Sequence, residues 1–152
     1  MAQISAVDDV IAALLSVLDA ALSVPVMDGL EVTSSSLADF VIIGDDGSLT
    51  NFTGRAATST QTPSSYEPGS RNETGSVICA VISQSGDDDL PARRAASKVT
   101  MAAVEAALRA TDNLGGVVAT GHIASIDLYQ ARNANGSMVR RVFTFAYTKF
   151  QD

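Results

Sequence analysis

The sequence predicts an α+β fold, and three observations predict it. Two segments repeat apolar residues at helical spacing, and several others alternate or cluster apolar and β-branched residues as strands do. Between two of the predicted strands lies Asn51 to Thr74, NFTGRAATSTQTPSSYEPGSRNET, rich in Ser, Thr, Gly and Pro and almost devoid of core-forming residues. An α+β framework interrupted by a long polar arm is the reading these features give.

The first helix starts near Ser5, placed to cap it, with Asp8 three residues on where a capping-box acid belongs. Asp8 and Asp9 suit the positive end of the helix dipole. Val7, Val10, Ile11, Leu14, Leu18, Ala21 and Leu22 make one stripe, and Pro25 closes the helix. Two short strands follow, Val24 to Met27 and Asp39 to Ile43, each ended by a glycine turn. After the arm, Gly75 to Gln84 reads as a strand buried on both faces.

Asp89 is the expected N-cap of the second helix, with Pro91 in its first turn. Ala92, Ala95, Ala96, Val99, Ala103, Ala106 and Ala110 line one of its faces, and Leu90, Met101, Val104 and Leu108 the nearly opposite one. Both faces are expected to be covered. The alanine face is expected against the sheet, and the bulky face against the first helix or a neighbouring subunit. Leu114-Gly115-Gly116 stops the helix. A long hairpin ends the chain. Val117 to Ala131 and Met138 to Phe150 alternate around the turn Asn133–Gly136, with Val139, Phe143, Phe145 and Tyr147 on the core face.

At 152 residues the chain is expected to be a single domain, 1–152, with 51–74 as an arm within it. An apolar fraction of 46% with 18% charged residues is globular. The net charge of −7 and the lack of a basic block argue against a dedicated nucleic-acid binder, but not against a surface that DNA merely passes. MAQISAVDDV lacks the basic start of a secretory signal, and no apolar run is long enough for a membrane span. Cys79 is the only cysteine and reads as a small buried hydrophobe.

Catalytic chemistry is hard to assemble from these residues. His122 is the only histidine, on the same strand parity as Ile126 and Leu128. It has no G-x-S-x-G partner motif and no cysteine or histidine companions for a metal. Asp87–Asp89 reads as helix capping and Asp45-Asp46-Gly47 as a turn, rather than as cation sites. Arg93-Arg94 reads as solvated or paired with a partner carboxylate. No catalytic, cofactor or metal residue is therefore expected. The arm keeps two readings open. Phe52, Arg55, Tyr66 and Arg71 are interface-type anchors on a segment too polar to fold alone, suited to docking on another subunit. Otherwise the segment is a solvated loop that the fold tolerates.

The order of elements resembles a known family. An apolar N-terminal helix precedes VPVMDG, the strand FVIIGDD and a buried strand. A long Ala-rich helix follows, with the stop Asp112-Asn113-Leu114-Gly115-Gly116 and a terminal hairpin. This resembles the tail terminator (tail completion, head–tail joining) proteins of long-tailed bacteriophages, particularly those of actinobacterial hosts. The resemblance spans nearly the whole chain. It implies a mostly antiparallel sheet of about four or five strands with two helices on one face. It also implies a virion protein forming a homohexameric ring that caps the tail tube, stops its polymerisation and meets the head-closure protein. DNA would pass through the bore without specific binding, and neither cofactor nor membrane is involved. The arm falls where such proteins carry a hairpin or loop for neighbour or tube contacts, although its sequence departs from regular hairpin alternation. Alternatives are another neck component, such as a head-closure or adaptor protein, or a minor tail protein. More remote are a small hydrolase and a ligand-binding module.

Overall fold

The fold is built around one long strand. In the computed structural model, which describes residues 5–29, 38–47, 55–63, 71–134 and 136–151, the elements are α1 (Val7–Ala21), β1 (Val26–Asp28), β2 (Asp39–Ile43), β3 (Ala57–Pro63), β4 (Arg71–Ser85), α2 (Leu90–Ala110), a 3-10 turn (Leu114–Gly116), β5 (Thr120–Asn133) and β6 (Gly136–Gln151). The sheet is six-stranded, in the order β1-β2-β4-β6-β5 with β3 also on β4. Only β1 and β2 run parallel. β6 pairs one edge of β4 along its whole length, from Arg71↔Gln151 to Ser85↔Ser137. The other edge is shared end to end. β3 pairs Arg71 to Val77 and β2 pairs Cys79 to Ser83. At the joint, the Ile78 N–H donates to Ala56 O (2.9 Å) and the Gly44 N–H donates to Ile78 O (2.7 Å), so pairing continues across it.

Strand alternation sends residues to two cores. On one face, Val41, Ile43, Val77, Cys79, Val81, Phe143, Phe145 and Tyr147 meet Val10, Leu14 and Leu18 of α1 and Met101, Val104 and Leu108 of α2. On the other face, Phe40, Ile42, Ala80 and Ile82 form a smaller cluster with Met27, Met138 and Val142. The turn after β2 folds onto that second face. The Gly47 N–H donates to Asp45 Oδ1 (2.7 Å), and Arg140 Nη1 donates to Asp46 O (2.6 Å). A side chain at Gly47 would run into Ile82 and Arg140, and its φ of +77° favours glycine. The reading of Asp45-Asp46-Gly47 as a turn therefore fits. So does the reading of β4 as buried on both faces, since Cys79 to Ser83 are all buried. Burial pushes the Cys79 thiol up to about 12, leaving it inert.

Four expectations are corrected. The arm is not structureless throughout, because Ala57–Pro63 adds a sixth strand. β3 is made almost entirely of Thr, Ser, Gln and Ala. It holds by backbone pairing to a strand already fixed, not by apolar alternation. Second, α1 has no capping box at Ser5 and Asp8. Helical geometry begins after Ala6, and Ser5 Oγ accepts from the Val7 N–H at 3.1 Å. Third, the alanine face of α2 does not lie against the sheet, whereas the bulky face meets α1 as expected and the sheet as well. On the alanine face, Ala95, Ala103, Ala106 and Ala110 are exposed and Val99 is 72% exposed. Fourth, Arg93 and Arg94 are not simply solvated. Arg93 Nη1 donates to Ser83 Oγ (3.4 Å) and Arg94 Nη1 to Gln130 Oε1 (3.0 Å). Arg141 Nε in turn donates to Ser97 Oγ at 2.9 Å, so polar contacts tie α2 to the sheet. The Asp89 cap is as expected, accepting from the Ala92 N–H at 3.2 Å.

The charge that closes the N-terminus of α1 comes from within the predicted arm. Glu73 has no accessible surface. Its carboxylate accepts from the Ala6 N–H (3.1 Å to each oxygen), Ser5 Oγ (3.2 Å), Gln61 Nε2 (3.4 Å) and Tyr147 Oη (2.7 Å). Burial pushes its pKa up. Hydrogen bonds from Tyr147, Ala6, Ser5 and Ser59 outweigh that and hold it below the usual glutamate value. Burial, together with the hydrogen bond and charge of Glu73, raises the Tyr147 hydroxyl in turn. Gly75, directly across from Tyr147, leaves the space for the phenol. A Cβ there would sit 2.5 Å from Tyr147 Oη.

Two predictions follow from this packing. Glu73→Gln should cost about 1–3 kcal/mol near neutral pH, since it removes the charge from several buried donors. Because the folded pKa of Glu73 is lowered, its contribution is present above the unfolded value and lost as pH falls through the folded one. Melting temperatures of wild type and Glu73→Gln should therefore converge on acidification, and a constant difference across the acid limb would refute this origin. Separately, Leu108→Asp should cost about 3 kcal/mol or more, and Val99→Asp within about 0.5 kcal/mol, in denaturant titrations.

Candidate functional site

The described surface departs most from that of an ordinary small domain along β5 and the outer side of α2. β5 stands at one end of the strand order, paired to β6 on its inner edge. Among the described residues, no strand pairs its outer edge. Its fourteen residues therefore present a row of backbone donors and acceptors. Ile126, Leu128 and Tyr129 on the same strand are 41%, 47% and 50% exposed. Long edge strands with exposed apolar residues are pairing templates, which proteins normally blunt or use.

A bulge shapes this edge. The register against β6 slips between Ile123 and Ser125, so that Ala124 is the extra residue. The slip also corrects the placing of His122. Directly paired residues share a face. His122 pairs with Ala146, whereas Ile126 pairs with Phe143 on the opposite face. Strict alternation from His122 to Ile126 fails at the bulge. Further along, Tyr129 stacks under Arg140, whose guanidinium carbon lies 4.5 Å from the ring centroid.

Between the second half of α2 and the first half of β5 runs a groove of about 600 Å³. Leu108, Gly121, Ile123, Ala124 and Ile126 give it apolar lining, and Glu105, Arg109, Asp112, His122 and Ser125 are its polar members. Gly121 makes room for Phe145, whose ring a Cβ at that position would strike. Glu105 already faces Arg109 across one helical turn, at 3.9 Å. Among the described residues, no hydrogen bond joins His122 to a carboxylate. His122 borders the groove by its place on β5, but its pairing with Ala146 puts it on the other face of the strand from Ile126, so the groove does not bring it together with Glu105 and Asp112 as general acid–base chemistry requires. It has the form of a shallow seat for a side chain or an extended segment laid beside the strand edge.

The residues expected to form an interface are only partly visible. Phe52 and Tyr66 lie outside the described residues. Arg55 is exposed just before β3. Arg71 opens β4, where its Nη1 donates to Gln61 Oε1 at 3.3 Å across the β3–β4 pair. Arg55 and Arg71 stand at the β3–β4 side of the molecule, away from β5. Ile126, Leu128, Tyr129 and the groove were not singled out in the sequence. The exposure of an edge strand depends on topology, and the alternation of β5 looks like that of any half-buried strand.

No group of three or more His, Cys, Asp or Glu residues is placed to hold a metal ion among the described residues. No helix among them is long and apolar enough to cross a membrane. No family model matches the chain, and no curated protein matches it. Among solved structures, the chain is similar to one from the virion of a native gene transfer agent (GTA) particle. The TM-score is 0.53 at 11% sequence identity, covering 99% of this chain and 100% of that one. That likeness is one of fold, and it runs from end to end of both chains.

Proposed function

We propose that this chain is a structural protein of a phage-like virion. In this reading it forms a ring that caps the tail tube, stops tube growth and joins the tail to the neck. The observation that carries the reading is the end-to-end coincidence of fold with a chain of a virion particle. It is supported by the order VPVMDG, FVIIGDD, Ala-rich helix, glycine stop and terminal hairpin. A ring component requires exposed edges for neighbours rather than a convergent active site, and β5 and the outer side of α2 supply such surfaces. Phe52, Arg55, Tyr66 and Arg71 are the proposed anchors toward a neighbouring subunit or the tube. The protein would then reside in the virion, with itself, the tail-tube protein and the head-closure protein as partners, and would have no enzymatic role.

The role is tested by disrupting the gene in the parent particle and imaging the product. Tails of uncontrolled length that fail to join heads are expected, and Arg55→Ala with Tyr66→Ala should reproduce part of that defect. Heads and tails that join normally at the usual length would overturn the reading. Pull-down with tail-tube protein, against portal or adaptor protein, separates a terminator from another neck component. The catalytic alternative would have to use His122, the single histidine of the chain. His122→Ala should leave both melting temperature and particle assembly unchanged. A well-folded variant that loses infectivity would restore the catalytic alternative.

A further inference from the structure

The charges of this chain are divided along its length. Residues 1–54 hold eight acidic residues and no lysine or arginine, whereas residues 90–151 hold eight basic and three acidic residues. The sheet order turns that division into a spatial one. The first segment supplies α1, β1 and β2 at one end of the strand order, and the second supplies α2, β6 and β5 at the other. Exposed carriers stand on each flank, with Asp19 and Asp28 on one and Lys98, Arg109 and Arg132 on the other, where the exposed Asp112 and Asp127 and the Glu105 that faces Arg109 offset part of the positive charge. The basic flank is also the one with the open strand edge and the exposed Ile126, Leu128 and Tyr129.

We propose that the α2–β5 flank of one copy docks head to tail on the α1–β1 flank of the next, with the opposite charges of the two flanks selecting that pairing. The inference rests on the ring reading above and assigns it an interface. Pairing of two acidic flanks sets net negative charge against net negative charge and is disfavoured. The heterologous contact sets acidic against basic carriers instead, and it generates a ring where its rotation closes. Around Asp19, α1 exposes Ala12, Ser16, Ala20 and Ala21, side chains short enough to let a neighbour approach closely. Burial of Ile126 and Leu128, which share the α2 side of β5, supplies the non-directional part of the contact, and charge supplies its polarity.

The test uses two reversed flanks in the full chain. One variant carries Asp19→Lys and Asp28→Lys, the other Lys98→Glu and Arg132→Glu, and sedimentation measures self-association over a wide concentration range. Wild type should associate, and each variant alone should associate about tenfold more weakly or worse. An equal mixture of the two should recover association, because each then presents the flank that the other lacks. A chain carrying all four substitutions should recover it with itself. Variants that associate like wild type, a mixture that does not recover, or a wild type that stays monomeric at every concentration would each overturn the proposal. If the reversed-flank variants still cap tails, this interface fails while the virion reading stands. If wild-type protein is absent from particles, the virion reading itself fails.

Discussion

The position of α1 depends on a buried carboxylate. A fully desolvated carboxylate is costly unless its oxygens are satisfied, so Glu73 requires its donors as much as they require it. Those donors come from three places, the start of α1, β3 through Gln61, and the far end of β6 through Tyr147, all meeting on β4. Glu73 lies 67 positions from Ala6, 12 from Gln61 and 74 from Tyr147 in sequence. The charge also lies at the positive end of the α1 dipole, where an anion is favoured. Helix position, β3 pairing and the seat of Tyr147 are therefore one coupled arrangement. Gly75 is part of it, since a side chain there would displace the phenol that satisfies the carboxylate.

β4 carries the rest. Its neighbours on one edge are two strands laid end to end, and on the other a single strand of matching length. Both faces at its centre are closed, one by the helices and the other by the turn after β2 held by Arg140. With the middle of the sheet enclosed, its flanks are left as the surfaces where this fold can vary. α2 is held to the sheet by its bulky stripe and by Arg93, Arg94 and Arg141. Its alanine side is left outward without loss of helical stability, because alanine favours the helix without needing burial.

Much of this was legible from local signals. Helical spacing located α1 and α2, Asp89 located a cap, and continuous apolar residues marked the centre of β4. Other features are set by contacts distant in sequence. Glu73 sits in a polar stretch, and nothing local distinguishes a buried carboxylate from a solvated one there. β3 lacks an apolar stripe, so its pairing could not be read from periodicity. The sheet-facing side of α2 was misjudged because close approach was assigned to alanine. In the fold, volume decides: Met101, Val104 and Leu108 fill the space between helix and sheet. At β5 a single extra residue, Ala124, reverses the alternation and moves His122 off the face of Ile126. The open edge itself was invisible, because which strand ends a sheet is a property of topology.

The same topology bears on assembly. A chain with one strongly acidic segment followed by one basic segment could fold so that they interleave and cancel. Here the crossover from β2 to β4, and then through α2 to β5 and β6, sends them to opposite flanks instead. Where the two segments do meet inside the molecule, the contact is specific and local, as between Arg140 and the Asp46 backbone. The α2–β5 side keeps some acids of its own, Asp112, Asp127 and the Glu105 that faces Arg109, so the separation is one of net charge. A molecule with complementary flanks has a built-in direction. Stacking copies edge to edge repeats one contact, whereas any face-to-face dimer leaves both charged flanks unsatisfied. Directional repetition of one contact is what a closed ring requires of its subunit, and in the proposed head-to-tail contact the order in which the charges are strung along the sequence would supply it.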